Sequence, residues 1–363
     1  MNHRDRVKTI LSFKEADRVP RDLWTIPEVI ALLLKKLNLP DEESLLKYFD
    51  VDFRYIKGPS YSGQEMQKYP DGTVEDLWGV RRRSMTVEKG SMKWSYKHVA
   101  VSPLEKMETV EEIDKYPKWP SPDLWDYTGI EKECLRFSND YIVVNVGDRL
   151  DRTAQLKPAI YLRGMEQILV DLFVNPAVAE AIFEHIRAYF LDYNNRVFKA
   201  AQGKIDIFMM GDDFGTQHGL IVSKDLWIKY FKEGFKKYIE LAHKYGIKVM
   251  HHTCGSVKDL IPEFIDCGLD ILQSVQPKAR DMDLGILKKE YGKYISFHGS
   301  IDIQDLLPNG TKEDIDKEVK EKMEAGKPSG GFIISTSHNI LPDTPVENIL
   351  ALFEAYKKYG NYK

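Results

Sequence analysis

The residues of this chain best suited to chemistry lie at 251–256, in the sequence HHTCGS, directly after a short apolar run. His252 and Cys254 are two positions apart, so in an extended chain their side chains point to the same side. An imidazole and a thiolate at the end of a buried strand can bind zinc. His338, which follows another apolar run near the C-terminus, offers a third ligand. Two imidazoles and one thiolate would leave the fourth zinc position open for water or substrate.

A structural interpretation of the same residues stays open. Cysteine is among the most buried residue types, and a buried histidine is often a satisfied core residue rather than a ligand. His251 points to the face opposite His252, so we expect it to be structural. We expect the same of His218 and His298.

Two adjacent carboxylates, Asp212 and Asp213, follow the apolar run 205–210. One of them can bind the metal, position an imidazole that does, or act as a general acid or base. We name both as candidate catalytic residues, with a preference for Asp213. The alternative is that one of them caps a following helix-like turn.

Further polar residues follow other apolar runs. Asp148 and Arg149 come after the third run, and Gln276 after the sixth. Tyr161 and Arg163 precede an apolar helix, where the arginine could bind an anion or form a surface ion pair. We name Tyr161, Arg163 and Gln276 as candidate cofactor-binding residues.

The elements that position these residues alternate between short apolar runs and longer amphipathic stretches, a pattern typical of βα units on a parallel sheet. The pattern predicts eight strands, at 18–24, 51–56, 141–146, 205–210, 247–250, 269–272, 294–297 and 332–334. Eight strands indicate an α/β fold, a (β/α)8 TIM barrel formed as one domain by residues 1–363, with the polar residues at the C-terminal ends of the strands. Residues 60–124 fit this pattern poorly. We interpret them as an insertion between strands two and three that caps the barrel, the alternative being a small separate domain.

Composition excludes several functional classes. The net charge of -4 over 363 residues gives no basic surface for nucleic acid, and no apolar segment approaches the ~18 residues that span a bilayer. The three cysteines, Cys134, Cys254 and Cys267, argue against a disulfide framework and for a reducing compartment, so we expect a cytoplasmic protein. So few thiols also exclude an all-cysteine zinc cage.

Several motifs together carry a resemblance to a known family. They are RVP at 18–20, YLRGME at 161–166, GDD at 211–213, HTCG at 252–255, HGSID at 298–302, GGFI at 330–333 and PDTPVEN at 342–348. With these motifs the chain resembles the uroporphyrinogen decarboxylase superfamily, and within it the zinc-dependent, corrinoid-linked methyltransferases. The resemblance extends over nearly the whole chain and implies a (β/α)8 barrel.

The two branches of the superfamily differ after the first strand. True uroporphyrinogen decarboxylases carry an Arg-Gln-Ala-Gly-Arg segment there, whose arginines bind the acidic arms of the tetrapyrrole. Here residues 22–28 read DLWTIPE, with no arginine after Arg21. This departure disfavours the decarboxylase, although His338 matches that family's histidine in the last loop.

The methyltransferase branch resembles this chain at His252 and Cys254, which are its zinc ligands. Its third ligand is usually a cysteine in the final loop, where this sequence has His338. A histidine in place of a thiolate makes the zinc more positive. Such a zinc suits polarising an ether or alcohol oxygen as a leaving group better than activating a thiol.

The resemblance implies a methyltransferase that moves a methyl group between a small methyl donor, or a thiol acceptor, and a corrinoid. The chain has no cobalamin-binding Asp-x-His-x-x-Gly pattern, so a corrinoid protein is the expected partner. Superfamily members are often dimers, and the resemblance extends a homodimer to this chain as an expectation. The alternatives are metal-free decarboxylation of a tetrapyrrole by Asp213 and His338, and a non-catalytic barrel that binds a corrinoid or tetrapyrrole.

Overall fold

The computed structural model describes residues 1–89, 92–147 and 152–362. Asp148 and Arg149 lie outside the described residues. In chain order the strands are β1 (Phe53–Tyr55), β2 (Ser60–Tyr61), β3 (Val74–Glu75), β4 (Arg81–Lys89), β5 (Met92–Val101), β6 (Trp125–Asp126), β7 (Ile142–Asn145), β8 (Ile207–Gly211), β9 (Lys248–His252), β10 (Ile271–Val275), β11 (Ser296–Ile301) and β12 (Phe332–Thr336).

A parallel sheet in the order β1-β7-β8-β9-β10-β11-β12 forms the centre of the molecule. Its strands are short and almost entirely buried, as in IVVN of β7 and IFMMG of β8. Apolar residues occupy both faces because helices cover the outside of a parallel sheet and side chains fill the inside. The fold is therefore α/β with a curled parallel sheet, consistent with the predicted TIM-like barrel.

Seven strands of this sheet are regular, so the prediction of eight was one too many. The segment 18–24, predicted as the first strand, lies between the two edge strands as an extended chain. The amide of Ile334 in β12 donates to the carbonyl of Pro20, and the amide of Asp52, next to β1, donates to the carbonyl of Arg21. Pro20 has no backbone N–H to donate to a neighbouring strand, so regular strand pairing is limited in this segment.

Helices connect the strands and cover the sheet. They are α1 (His3–Leu11), α2 (Pro27–Leu37), α3 (Glu42–Tyr48), α4 (Val110–Asp114), α5 (Ile130–Leu135), α6 (Leu156–Arg163), α7 (Met165–Val174), α8 (Pro176–Ala200), α9 (Lys224–Tyr230), α10 (Lys232–Lys244), α11 (Ile261–Asp266), α12 (Leu284–Tyr291), α13 (Leu306–Asn309), α14 (Lys312–Gly326) and α15 (Val346–Tyr359), with 3-10 turns at Pro122–Leu124 and Lys258–Leu260. Side-chain caps set several starts: Ser223 accepts from the Leu226 amide at α9, and Thr311 forms a capping box at α14.

The chain between β1 and β7 contains its own small sheets. β3, β4 and β5 form an antiparallel sheet, and β2 pairs with β6. Trp78 of this region packs edge-on against Tyr189 of α8, with ring centroids 5.0 Å apart. That residues 60–124 are an insertion capping a barrel, and that residues 1–363 form one domain, stay predictions.

Candidate metal centre

Three predicted ligands converge where two parallel strands end. His252 is the last residue of β9, Cys254 follows it by two positions, and His338 follows the end of β12 by two. The Sγ of Cys254 lies 3.4 Å from the Nε2 of His252, and one ligand atom from each of the three side chains lies within 4.8 Å of the others. A tetrahedral zinc with bonds of about 2.0–2.3 Å separates its ligand atoms by roughly 3.5 Å. The cluster therefore fits one zinc ion after small side-chain rotations.

The protonation states of these groups suit metal binding. Burial, with the nearby charge of Arg152, holds the pKa of His252 well below its usual value and lowers the pKa of His338 in the same way. Both rings are therefore neutral near pH 7, which is the form that binds a metal. Burial, followed by the charge of Asp213, raises the pKa of the Cys254 thiol to about 12. This thiol must lose its proton when a metal binds.

Gln273 decides which nitrogen of His252 faces the cluster. It lies directly opposite His252 in the register of β9 and β10, and its Oε1 is in hydrogen-bond contact with the Nδ1 of that ring. An Nδ1–H that donates to this oxygen leaves Nε2 as the unprotonated nitrogen beside Cys254. Sequence reasoning did not select Gln273, because its role depends on the register of two strands, which brings together residues that lie 21 positions apart in sequence.

Trp24 and Arg152 complete the surroundings of His252, and neither was predicted as a site residue. The indole of Trp24 stacks on the imidazole of His252 with centroids 5.3 Å apart. The guanidinium carbon of Arg152 lies 5.7 Å from the centroid of Trp24. A Cβ on Gly211 would come within 2.5 Å of the Arg152 Nε, so the glycine makes room for this side chain. The result is a positive charge next to two neutral imidazoles.

The two adjacent aspartates have different surroundings. Asp212 is 4% exposed, and its carboxylate oxygens accept hydrogen bonds from the amides of Gln155, Leu156 and Lys157, each at 2.7 Å. It therefore caps the start of α6. Burial raises the pKa of Asp212 to about 7, against the effect of these three donors. The alternative prediction was that one aspartate caps a turn that follows it. Asp212 is indeed a cap, but α6, the helix it caps, precedes it in the chain.

Asp213 faces the ligand cluster. Its Oδ1 accepts from the Cys254 amide at 3.0 Å and lies 3.7 Å from the Nε2 of His252, while its Oδ2 lies 4.0 Å from the Nζ of Lys157. Burial alone would raise the pKa of Asp213, but the positive charges of Lys157 and Arg152 and the hydrogen bond from the Cys254 amide hold it below its usual value. An ionised carboxylate so close to the cluster is better suited to holding its neighbours in place than to accepting a proton.

The turn after Cys254 is held by a close approach of two backbone segments. Gly255 has a φ of +82°, and a Cβ there would lie 2.5 Å from the carbonyl carbon of Gly215. The amide of Gly255 donates to the Oε1 of Gln276 at 2.7 Å. Gln276, predicted to bind a cofactor, thus lies beside the turn that carries Cys254. Its contact with a cofactor stays a prediction.

A family match accompanies this geometry. The family described as uroporphyrinogen decarboxylase (URO-D) matches residues 153–359, more than half of the chain. This chain belongs to the URO-D family. The resemblance inferred from the sequence motifs is confirmed.

The relatives of this URO-D family member include named methyltransferases. It is 22% identical over 206 residues to a methylated-thiol–coenzyme M methyltransferase of Methanosarcina mazei, a match covering 57% of this chain and 52% of the relative. It is 30% identical over 139 residues to the methylcobamide:CoM methyltransferase MtaA of Methanosarcina barkeri, covering 38% of each. The chain thus spans about half the length, or less, of the curated relatives it matches.

One solved structure supports the fold along the whole chain. A methyltransferase from Methanosarcina mazei superimposes with a TM-score of 0.65 at 16% identity, covering 99% of both chains. At this identity the match speaks for the fold alone. Among the residues that the structure describes, no helix combines the length and apolar character needed to cross a membrane.

The contacts found for Tyr161 and Arg163 of this family member are with residues other than the three ligands, and their contact with a cofactor stays a prediction. Arg163 is 2% exposed, and its guanidinium donates to the carboxylate of Asp171 at 2.7 Å and to backbone carbonyls at 104, 105 and 107. These contacts fit the ion-pair alternative for Arg163, although the pair is buried and not on the surface. Tyr161 stacks under the guanidinium of Arg82, 4.4 Å from the ring centroid.

The three histidines expected to be structural, His218, His251 and His298, occupy different environments. His251 is buried on the helix side of β9, against Phe235 at 4.8 Å, as expected for a structural residue. His218 lies exposed in the loop after β8. The Nε2 of His298 lies 2.9 Å from the Oδ2 of Asp22 inside the sheet.

Proposed function

We propose that this protein is a corrinoid-linked methyltransferase whose His252, Cys254 and His338 hold zinc. The observation that carries the proposal is the convergence of these three side chains, with ligand atoms within 4.8 Å of one another. The names of the two curated relatives support the same chemistry. The methyl donor or acceptor is a small molecule, and the corrinoid is presented by a partner protein.

Zinc, when bound, would supply a Lewis acid that lowers the pKa of a thiol acceptor or polarises the leaving heteroatom of a methyl donor. The side chains of this protein do the positioning. Gln273 orients the ring of His252, and Asp213 holds the backbone amide of Cys254. Arg152 and Lys157 place positive charge beside the cluster, which favours an anionic group there.

The structure of the extended segment 18–24 does not favour the alternative of tetrapyrrole decarboxylation, because its Arg21 is not available to bind an acidic substrate. Arg21 is 3% exposed, and its Nη1 lies 3.2 Å from the Oδ2 of Asp50. The positive charge of Arg21 is therefore paired with Asp50 within the protein. A substrate with many carboxylates needs several exposed cations at the mouth of the site.

The first test is the zinc content of protein purified without chelator, measured by elemental analysis. We expect about one zinc per chain, lost in Cys254→Ala and in His338→Ala. Cys267→Ala and His218→Ala are the matched controls, since each removes the same side chain elsewhere, and both should keep the metal.

The second test is turnover. Zinc-loaded protein is mixed with methylcobalamin and a panel of thiols, and demethylation of the corrinoid is followed by absorbance. The reverse assay supplies methyl ethers, methanol or methylamines with reduced corrinoid. Absence of zinc after reconstitution would contradict the proposal, and turnover of uroporphyrinogen by metal-free protein would favour the decarboxylase instead.

A further inference from the structure

A buried carboxyl group inside the sheet joins two neighbouring side chains. Asp22 lies in the extended segment between β12 and β1 and is 2% exposed. Its Oδ2 accepts the hydroxyl of Tyr55 at 2.5 Å and lies 2.9 Å from the Nε2 of His298. With both groups donating to one oxygen, the carboxyl group has a fixed orientation.

Tyr55 passes this orientation on to Trp24. The indole Nε1 of Trp24 donates to the Tyr55 hydroxyl at 2.9 Å, while that hydroxyl donates to Asp22. The hydroxyl is thus used both as acceptor and as donor. Loss of this oxygen would leave the indole N–H, which is largely buried, without its acceptor, so the ring would have reason to turn.

The same indole covers one face of a proposed metal ligand. Trp24 stacks on His252 with an interplanar angle of 24°. Gln273 contacts the edge of the His252 ring at Nδ1. The ring is therefore held on its edge by one residue and on its face by another, and the face contact depends on the chain Asp22–Tyr55–Trp24.

We propose that Asp22, Tyr55 and His298 are positioning residues, which hold Trp24 against His252 and so fix the direction of its Nε2 toward the metal. The proposal rests on the proposed function, since His252 must be a metal ligand. It adds a group of residues from the first extended segment, β1 and β11 to a site formed by the loops after β9 and β12. Residues behind a ligand typically change metal affinity by about 10- to 100-fold when replaced.

The test uses the whole chain labelled with 5-fluorotryptophan and observed by fluorine NMR. The chain has six tryptophans, and Trp24→Phe identifies the signal of Trp24. Tyr55→Phe removes the linking hydroxyl with little change in volume. Tyr238→Phe is the matched control, because it removes a buried hydroxyl that has no hydrogen-bond partner among the described residues. In metal-free protein we expect the Trp24 signal to shift in Tyr55→Phe and to stay in place in Tyr238→Phe.

Zinc affinity is then measured on the same proteins by competition with a chromophoric chelator. We expect about tenfold weaker binding in Tyr55→Phe and wild-type binding in Tyr238→Phe. An unmoved Trp24 signal, or a shifted signal with unchanged zinc affinity, would overturn the proposal. If the wild-type protein binds no zinc, the proposed function fails, while the metal-free Trp24 signal still shows whether Tyr55 positions the indole.

Discussion

The side-chain oxygen of Gln273 lies against the Nδ1 of His252, and this contact directs the Nε2 of that ring at Cys254. The two residues come from neighbouring parallel strands and face each other in register. A metal-binding histidine whose second nitrogen is held in this way loses little freedom on binding, because its tautomer and orientation are already set.

Replacement of Gln273 by Met should therefore weaken zinc binding. The change keeps the volume and removes the acceptor for Nδ1–H, so we expect zinc affinity to fall by about 10- to 100-fold. Competitive chelator titration measures it, and thermal unfolding without metal shows whether the fold is intact. Unchanged affinity in a folded Gln273→Met protein would show that the contact has no role in metal binding.

Zinc binding should release close to one proton near pH 7.5. The pKa of Cys254 is raised to about 12, so the free thiol is protonated, while the lowered pKa values of His252 and His338 mean that those rings have no proton to lose. The apparent association constant should then rise about tenfold per pH unit between about pH 6 and 9. Calorimetry in buffers of different ionisation enthalpy counts the protons. Cys267→Ala should release the same number, and a count of zero would remove Cys254 from the ligand set.

Substitutions of the two adjacent aspartates should have different effects, with Asp212 affecting mainly stability and Asp213 mainly zinc binding. Asp212→Ala removes the cap of α6 and should lower the free energy of unfolding by about 1–2 kcal/mol, with a smaller loss in Asp212→Asn because one acceptor oxygen remains. Asp213→Ala should change that free energy by less than about 1 kcal/mol and weaken zinc binding about tenfold. Denaturant unfolding and zinc titration measure the two effects. A loss of zinc affinity in Asp212→Ala with unchanged stability, or a loss of stability in Asp213→Ala with unchanged zinc affinity, would contradict this prediction.

The buried carboxylate of Asp52 should make a large, pH-dependent contribution to stability. It accepts from Arg6 and Arg18, each at 2.7 Å, and contacts His3 at 2.9 Å. Burial opposes ionisation, but these partners hold the pKa of Asp52 below its usual value. Asp52→Asn removes the buried counter-charge of Arg6 and Arg18, which then keep only the partly exposed Asp17 and Asp50 as ion-pair partners, and should cost about 3 kcal/mol at pH 7.

The sign of the pH effect follows from the lowered pKa. The stability that Asp52 contributes is complete above the ordinary aspartate pKa of about 4. It is lost as the pH falls through the lower pKa that Asp52 has in the folded protein. Wild-type protein should therefore lose stability below about pH 4, and Asp52→Asn should lose less over the same range. Denaturant unfolding at several pH values measures this. Glu65→Gln, in an exposed ion pair with Lys68, is the control and should leave the pH dependence of stability as in the wild type.

Parts of the fold and of the candidate site could be predicted because they depend on neighbours in sequence. Alternating apolar runs located the seven strands of the parallel sheet, since a strand buried on both faces is apolar throughout. The remaining predicted strand, at 18–24, has the mixed sequence RVPRDLW and makes only scattered backbone contacts. Its extended course was predicted, but whether an extended segment pairs regularly with its neighbours is not recorded in its own sequence.

The sequence by itself determined the candidate ligands, because the spacing of His252 and Cys254 and the position of His338 after a strand are local properties. Only the tertiary structure decided which residues surround them. Gln273, Trp24 and Arg152 reach His252 from other parts of the chain, and they do so through strand register and ring stacking. The tertiary structure also decided the different roles of Asp212 and Asp213. The carboxylate of Asp212 binds the start of a helix, and the carboxylate of Asp213 lies beside the ligand cluster. Such roles come from through-space contacts between distant segments, which no single stretch of sequence records.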